Sequence, residues 1–169
     1  MKKGILIAGY AGIGKTTLAK KYKNVIDLES STFKYNYSEE EKSLSEKKKG
    51  LDNRKFNCDF PNNYYKAIED AILKYDFILI QGHPRYFDYL DSKKIEFWVV
   101  YPEKETLEKA YKERFVNRGN NEEYIDKVIN GFEAMLAGFE KSKSKKIVLE
   151  GDETLEDYLL RQNYTLVEK

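Results

Sequence analysis

The sequence predicts an α/β domain built on a mostly parallel sheet. Short apolar runs alternate along the chain with stretches of helical periodicity, the order expected of strand–helix–strand units. The most apolar run, Phe77 to Ile80, shows no in–out alternation. Both faces of that strand are therefore to be buried, as in the middle of a parallel sheet. At 169 residues, with no internal repeat and no linker-like stretch, the chain is expected to form one domain over 1–169.

The elements follow in order. Ile5 to Ala8 reads as the first buried strand and Lys15 to Lys23 as the helix after it. Val25 to Leu28 is a short second strand running into the acidic and hydroxyl residues Asp27, Glu29, Ser30 and Ser31. Residues 32–58 are polar and lysine-rich. Within them Ser38 and Glu41 have the spacing of a capping box opening a helix toward Lys49, with Gly50 as its stop. Pro61 suits the first turn of a helix to Lys74, whose Tyr65, Ile68 and Ile72 share a face. Phe77 to Ile80 is the third strand and Ile95 to Val100 the fourth. Leu107, Ala110, Tyr111 and Phe115 mark the buried face of a helix from Glu103 to Arg118. Ile125, Val128, Ile129, Phe132, Met135, Leu136 and Phe139 do the same for a helix from Glu122 to about Glu140. Ile147 to Leu149 is the last strand and Leu155 to Leu160 the last helix.

Composition excludes several classes. Thirty basic side chains meet 29 acidic ones, for a net charge of +1. A general nucleic-acid binder carries a basic excess, so no nucleic-acid polymer is expected as partner. No apolar run approaches the roughly 20 residues of a membrane span, and mean hydropathy is −0.72. No membrane partner and no signal peptide are expected. The single cysteine, Cys58, makes no internal disulfide and fits a reducing, cytoplasmic setting. The run from Lys141 to Lys146 reads as a solvated helix end. Oligomeric state is left open.

The most specific motif joins the first strand to the first helix. Gly9, Gly14, Lys15 and Thr16 satisfy G-x-x-x-x-G-K-[ST], the P-loop pattern. Such a loop turns successive N–H groups inward at phosphate oxygens, and the helix behind it adds its positive dipole end. The expected cradle for the phosphates of ATP is Gly9, Ala11, Gly12, Ile13, Gly14, Lys15, Thr16 and Thr17. Lys15 is to reach the β- and γ-phosphates, and the Thr16 hydroxyl is to hold Mg²⁺. The Asn-Lys-x-Asp guanine reader of GTP switches is absent. Gln81 follows the third strand where motors and large ATPases place an Asp.

The stretch Phe77 to Arg85 resembles the adenylate-kinase motif of an apolar strand followed by Asp-Gly-Phe-Pro-Arg. Gly82, Pro84 and Arg85 match it, while Gln81 and His83 depart from it. Phe60, Pro61 and the helix after them resemble the stretch preceding that motif. Arg114 and Arg118 resemble the arginine pair where that family's lid begins. The resemblance to nucleoside monophosphate kinases and related small kinases covers most of the chain. It implies a three-layer P-loop kinase fold with five parallel strands in the order 2-3-1-4-5. It implies ATP and Mg²⁺, with a small-molecule nucleotide as acceptor. Arg85 would grip the acceptor's phosphate, and Arg114 and Arg118 would face the donor phosphates. Residues 32–58 would form the acceptor-binding segment and about 114–124 a short lid. His83 stands where the family has an aromatic residue, and reads equally as pocket wall or structural imidazole. Tyr35, Tyr37, Tyr64 and Tyr65 are candidates to stack on a base.

Asp27 and Glu29 sit two apart, so a continuing strand points both carboxylates the same way. With Gln81 in place of Asp, Asp27 is the expected acidic contact of Mg²⁺. Glu29 is expected to serve the acceptor; the plainer alternative is a turn cap with Ser30 and Ser31. The leading activity is phosphoryl transfer from ATP to a nucleoside or deoxynucleoside monophosphate. The runner-up is a hydroxyl kinase resembling the deoxynucleoside, shikimate or gluconate kinases, which place one or two carboxylates here. A third possibility is a non-catalytic nucleotide-binding module.

Overall fold

The computed structural model describes residues 3–43 and 54–169. Its centre is a five-stranded, wholly parallel sheet flanked by helices. The strands are β1 (Ile5–Gly9), β2 (Val25–Leu28), β5 (Phe77–Gln81), β6 (Phe97–Pro102) and β7 (Lys145–Leu149). A separate two-stranded ribbon pairs β3 (Tyr35–Asn36) with β4 (Lys55–Phe56). The main sheet runs β2-β5-β1-β6-β7. Numbered among themselves, its strands lie in the order 2-3-1-4-5. Leu6, Ile7, Ala8, Ile78, Leu79 and Ile80 are all fully buried, which is why neither β1 nor β5 shows alternation.

The helices are α1 (Lys15–Lys21), α2 (Ser30–Lys34), α3 (Glu39–Ser43), α4 (Asn62–Ile72), α5 (Phe87–Ser92), α6 (Lys104–Thr106), α7 (Lys112–Asn117), α8 (Glu122–Asn130), α9 (Phe132–Lys141) and α10 (Leu155–Arg161). A π-helical segment, Leu107–Tyr111, joins α6 to α7 in one helical run. The expected capping box is present: Ser38 N donates to Glu41 Oε2 at 2.8 Å and Glu41 N donates to Ser38 Oγ at 3.2 Å. The continuation of that helix toward Lys49 and Gly50 lies outside the described residues.

Several boundaries differ from expectation, each for a local reason. Helix α1 stops at Lys21, because Tyr22 turns extended and bridges antiparallel to Glu168 while Lys23 N donates to Val167 O. The single helix expected over 122–140 is two, broken at Gly131, where a Cβ would sit 2.7 Å from Lys127 O. The fourth strand starts at Phe97, since Lys94 takes a positive φ of 54° and Ile95 N closes back on Leu90 O. Only the first part of the lysine run is helix end. Lys145 opens β7 and lies over the Trp98 ring at 4.4 Å. Helices α2 and α5 and the ribbon were not expected; elements of two to six residues carry too little period to be read.

The last helix is pinned by carboxylates. Glu156 accepts from Lys21 Nζ and Tyr22 Oη, both at 2.6 Å, and these bonds hold its pKa below the usual value. Asp157 completes a capping box with Thr154, whose hydroxyl and N–H likewise lower the Asp157 pKa. A folded-state carboxyl pKa below its unfolded value adds stability above the unfolded pKa and loses it as pH falls through the folded one. The thermal midpoint should therefore drop on acidification below about pH 4. A Glu156→Gln/Asp157→Asn double variant should be less stable at neutral pH and show a shallower acid limb in a melting series.

Candidate active site

The loop Tyr10–Gly14 leaves the C-terminal end of β1, where ligands bind in open α/β sheets, and feeds α1. Gly12 has φ 85° and Gly14 φ 97°, a region in which a Cβ is strained. A side chain at Gly12 would also strike the Tyr111 ring at 2.7 Å, so the loop lies flush against the π-helical segment. Ile13 is fully buried. Its side chain anchors the loop, and its carbonyl accepts from Leu155 N at 2.9 Å.

Lys15 folds back over this loop, donating from Nζ to Gly9 O at 2.8 Å and Tyr10 O at 2.9 Å. Burial lowers its pKa, while the nearby Asp27 and Glu29 charges pull it up and Arg118 adds to the lowering. One amine thus feels both carboxylates of β2's C-terminal end and the arginine at the end of α7. Thr16 Oγ1 donates to Asp27 Oδ2 at 2.7 Å. Asp27 Oδ1 is buried with no hydrogen-bond partner among the described residues. An orphaned carboxylate oxygen beside a P-loop hydroxyl fits Mg²⁺, which binds through one or two carboxylates plus phosphates. Among the described residues no group of three or more His, Cys, Asp or Glu could hold a metal ion.

Glu29 is exposed and N-caps α2, accepting from Ser31 N at a long 3.4 Å. It lines a hollow of about 630 Å³ together with Thr16, Asp27, Lys20 and Lys23. The turn cap is thus present, and the hollow continues past Val25, Ile26, Tyr75 and Lys169. A smaller hollow of about 200 Å³ lies between the loop and the arginines, lined by Gly12, Gly14, Thr17, Arg114, Arg118 and Thr154. Arg114 stacks over Tyr111 at 4.5 Å and donates from one terminal nitrogen to Asp152 O at 2.7 Å. Its other terminal nitrogen is buried with no hydrogen-bond partner among the described residues. Arg118 is exposed at the end of α7. Ala11, on the loop's outer turn, is half-buried.

Arg85 borders neither hollow. It is exposed, and its Nε donates to His83 Nδ1 at 3.3 Å. The same Nδ1 accepts from Arg85 N at 3.2 Å, so His83 caps the turn Pro84–Tyr86 through an unprotonated nitrogen. Burial and the Arg85 charge lower its pKa. His83 is therefore a structural imidazole on the arm carrying Arg85.

Gln81 and Gly82 show why this motif lies against the loop. Gly82 N donates to Gly9 O at 2.9 Å, and a Cβ at Gly82 would sit 2.9 Å from the Gly9 carbonyl carbon. Gln81 Oε1 accepts from Ser30 Oγ at 2.7 Å. The sequence pointed to Ser30 only as a turn partner of Glu29, and its bond to Gln81 was not expected. Of the tyrosines, Tyr64 is fully buried and donates to Leu28 O at 3.0 Å, which makes it core. Tyr65 stacks on Tyr89 with centroids 3.7 Å apart. Tyr35 lies in the ribbon, 6.5 Å from Tyr37. Cys58 is exposed. No helix among the described residues is long and apolar enough to cross a membrane.

No family model matches the chain, and no curated protein matches it.

Replacing Gly82 by Ala should wedge β5's exit from the glycine loop. Overpacking of this kind costs about 1–3 kcal/mol. Urea denaturation of Gly82→Ala should show that loss, and nucleotide binding should weaken with it. An unchanged midpoint with unchanged binding would show that the two backbones need not touch.

Proposed function

We propose that the protein is an ATP- and Mg²⁺-dependent kinase acting on a small acceptor. The observation that carries this is the Lys15–Thr16–Asp27 arrangement. A half-buried ammonium lies on the glycine loop, with a hydroxyl–carboxylate pair beside it offering one unused oxygen. Phosphoryl transfer is mainly positioning and neutralisation of spread negative charge, and each group has a part in that. The loop N–H groups hold the donor phosphates. Lys15 exchanges its loop carbonyls for phosphate oxygens. Thr16 and Asp27 would hold Mg²⁺, Asp27 through water, and the cation would supply positive charge to neutralise the donor phosphates. Arg114 and Arg118 border the donor hollow, and their planar forks suit phosphate oxygens.

The acceptor implied by the kinase resemblance is a nucleoside or deoxynucleoside monophosphate, held by Arg85. One observation favours a second reading, a hydroxyl acceptor. Glu29 lines the same hollow as Thr16 and Asp27, and its charge acts on Lys15. A hydroxyl must shed its proton as it attacks, whereas a monophosphate is largely dianionic at neutral pH.

Two variants test these proposals in a coupled assay of ATP consumption against nucleosides, nucleotides and sugars. Lys15→Ala should fold and lose about a hundredfold or more in turnover; full activity in the folded variant would contradict the kinase proposal. Glu29→Gln at saturating acceptor separates the acceptors. A monophosphate acceptor predicts a turnover loss of about tenfold or less. A hydroxyl acceptor predicts a loss of about 10²–10⁴ through removal of the base.

A further inference from the structure

Tyr10 occupies a position that the P-loop pattern leaves free, and its contacts there are long-range. Its hydroxyl donates to Val128 O at 2.6 Å, spanning 118 residues of sequence. The residue is 5% exposed. Its ring stands edge-on to Phe132 at 5.2 Å and to Phe139 at 6.2 Å. Val128 lies in the last turn of α8, just before the break at Gly131. Carbonyls in a last helical turn lose partners of their own helix, and the Tyr10 hydroxyl supplies one. At the other end of the same residue, the Tyr10 carbonyl accepts Lys15 Nζ.

Helix α8 also packs against α7, the helix that carries Arg114 and ends at Arg118. It begins directly after Gly119 and Asn120, with Asn121 as its N-cap. Its Tyr124 ring stands edge-on to Phe115 of α7, with centroids 5.9 Å apart. The residue that receives the P-loop ammonium is therefore bonded to the helix that leaves the lid.

We propose that Tyr10 is a positioning residue whose hydroxyl, through the Val128 carbonyl, ties the phosphate loop to α8, so that donor binding orders the lid side of the cleft. This rests on the donor-binding part of the function proposed above. A triphosphate that engages Lys15 competes for the protons now given to the Gly9 and Tyr10 carbonyls. Tyr10 then settles around the occupied loop and carries α8 with it. Tyrosine suits this position for a reason that phenylalanine does not share. Either ring fills the pocket formed by Phe132 and Phe139, but only the hydroxyl reaches the helix backbone.

The test is amide hydrogen exchange, read by mass spectrometry on the full chain with and without saturating MgATP. In the wild type MgATP should slow exchange in 15–21 and in 122–130. In Tyr10→Phe, residues 122–130 should exchange about fivefold faster without nucleotide, the effect of losing one hydrogen bond. MgATP should still slow 15–21 in that variant but no longer slow 122–130. Ile125→Val provides the comparison. It trims the buried anchor of α8, loosens the same helix and leaves the Tyr10 hydroxyl in place, so MgATP should still slow 122–130. Persistence of the α8 response in Tyr10→Phe overturns the coupling, as does its absence in the wild type. Failure of MgATP to slow 15–21 in the wild type instead contradicts donor binding itself.

Discussion

The site depends on keeping a charged amine in a place where burial opposes its charge. Lys15 tolerates that place because two loop carbonyls take its protons and two carboxylates stand near it. Those groups come from separate parts of the chain. The carbonyls belong to the end of β1 and the first loop residue, and the carboxylates to the end of β2. The loop can fold over the lysine because Gly12 admits the Tyr111 ring and Gly82 admits the Gly9 carbonyl. Packing and electrostatics are thus one problem here. If the backbones at the C-terminal ends of β1 and β5 moved apart, the ammonium would lose the carbonyls that make its burial tolerable.

What the sequence disclosed follows the same physics. The inner strands β1, β5 and β6 are almost wholly buried and so are continuous apolar runs, which made them legible; the edge strands β2 and β7 are partly exposed, and of β7 only Ile147 to Leu149 could be read. The P-loop was legible because its glycines answer to fixed backbone needs. The Ser38–Glu41 box was legible because capping has a local spacing. Helix α2 and the β3–β4 ribbon were hidden because they are too short to show a period and are set by tertiary contacts, among them Asn63 Nδ2 donating to Phe33 O at 2.8 Å. The Ser30–Gln81 bond and the Tyr10–Val128 bond were hidden for a related reason. Both join residues far apart in sequence, 51 and 118 positions respectively, and neither belongs to a local pattern.

The three arginines picked out by resemblance stand on different physical footings. Arg114 is held by the Tyr111 ring and the Asp152 carbonyl, with one nitrogen left without a hydrogen-bond partner among the described residues, and it lines the smaller hollow. Arg118 is less constrained, at a helix end beside the same hollow. Arg85 rests on His83, an imidazole whose nitrogen also caps the turn beneath it. His83 and Gln81, the two positions that depart from the adenylate-kinase motif, thus both have structural partners here, Arg85 and Ser30. Where position 81 lacks an acid, Asp27 has its Oδ2 on the Thr16 hydroxyl and its Oδ1 buried with no hydrogen-bond partner among the described residues.

The central claim is that the loop from Gly9 to Thr16 holds the phosphates of ATP with the help of Mg²⁺ at Thr16 and Asp27. Its most direct test is a calorimetric titration of the wild-type protein with ATP, in the presence and absence of Mg²⁺. The account predicts one saturable site per chain, with affinity that rises when Mg²⁺ is present. Absence of saturable binding at millimolar ATP would contradict it, and affinity indifferent to Mg²⁺ would contradict the role given to Asp27.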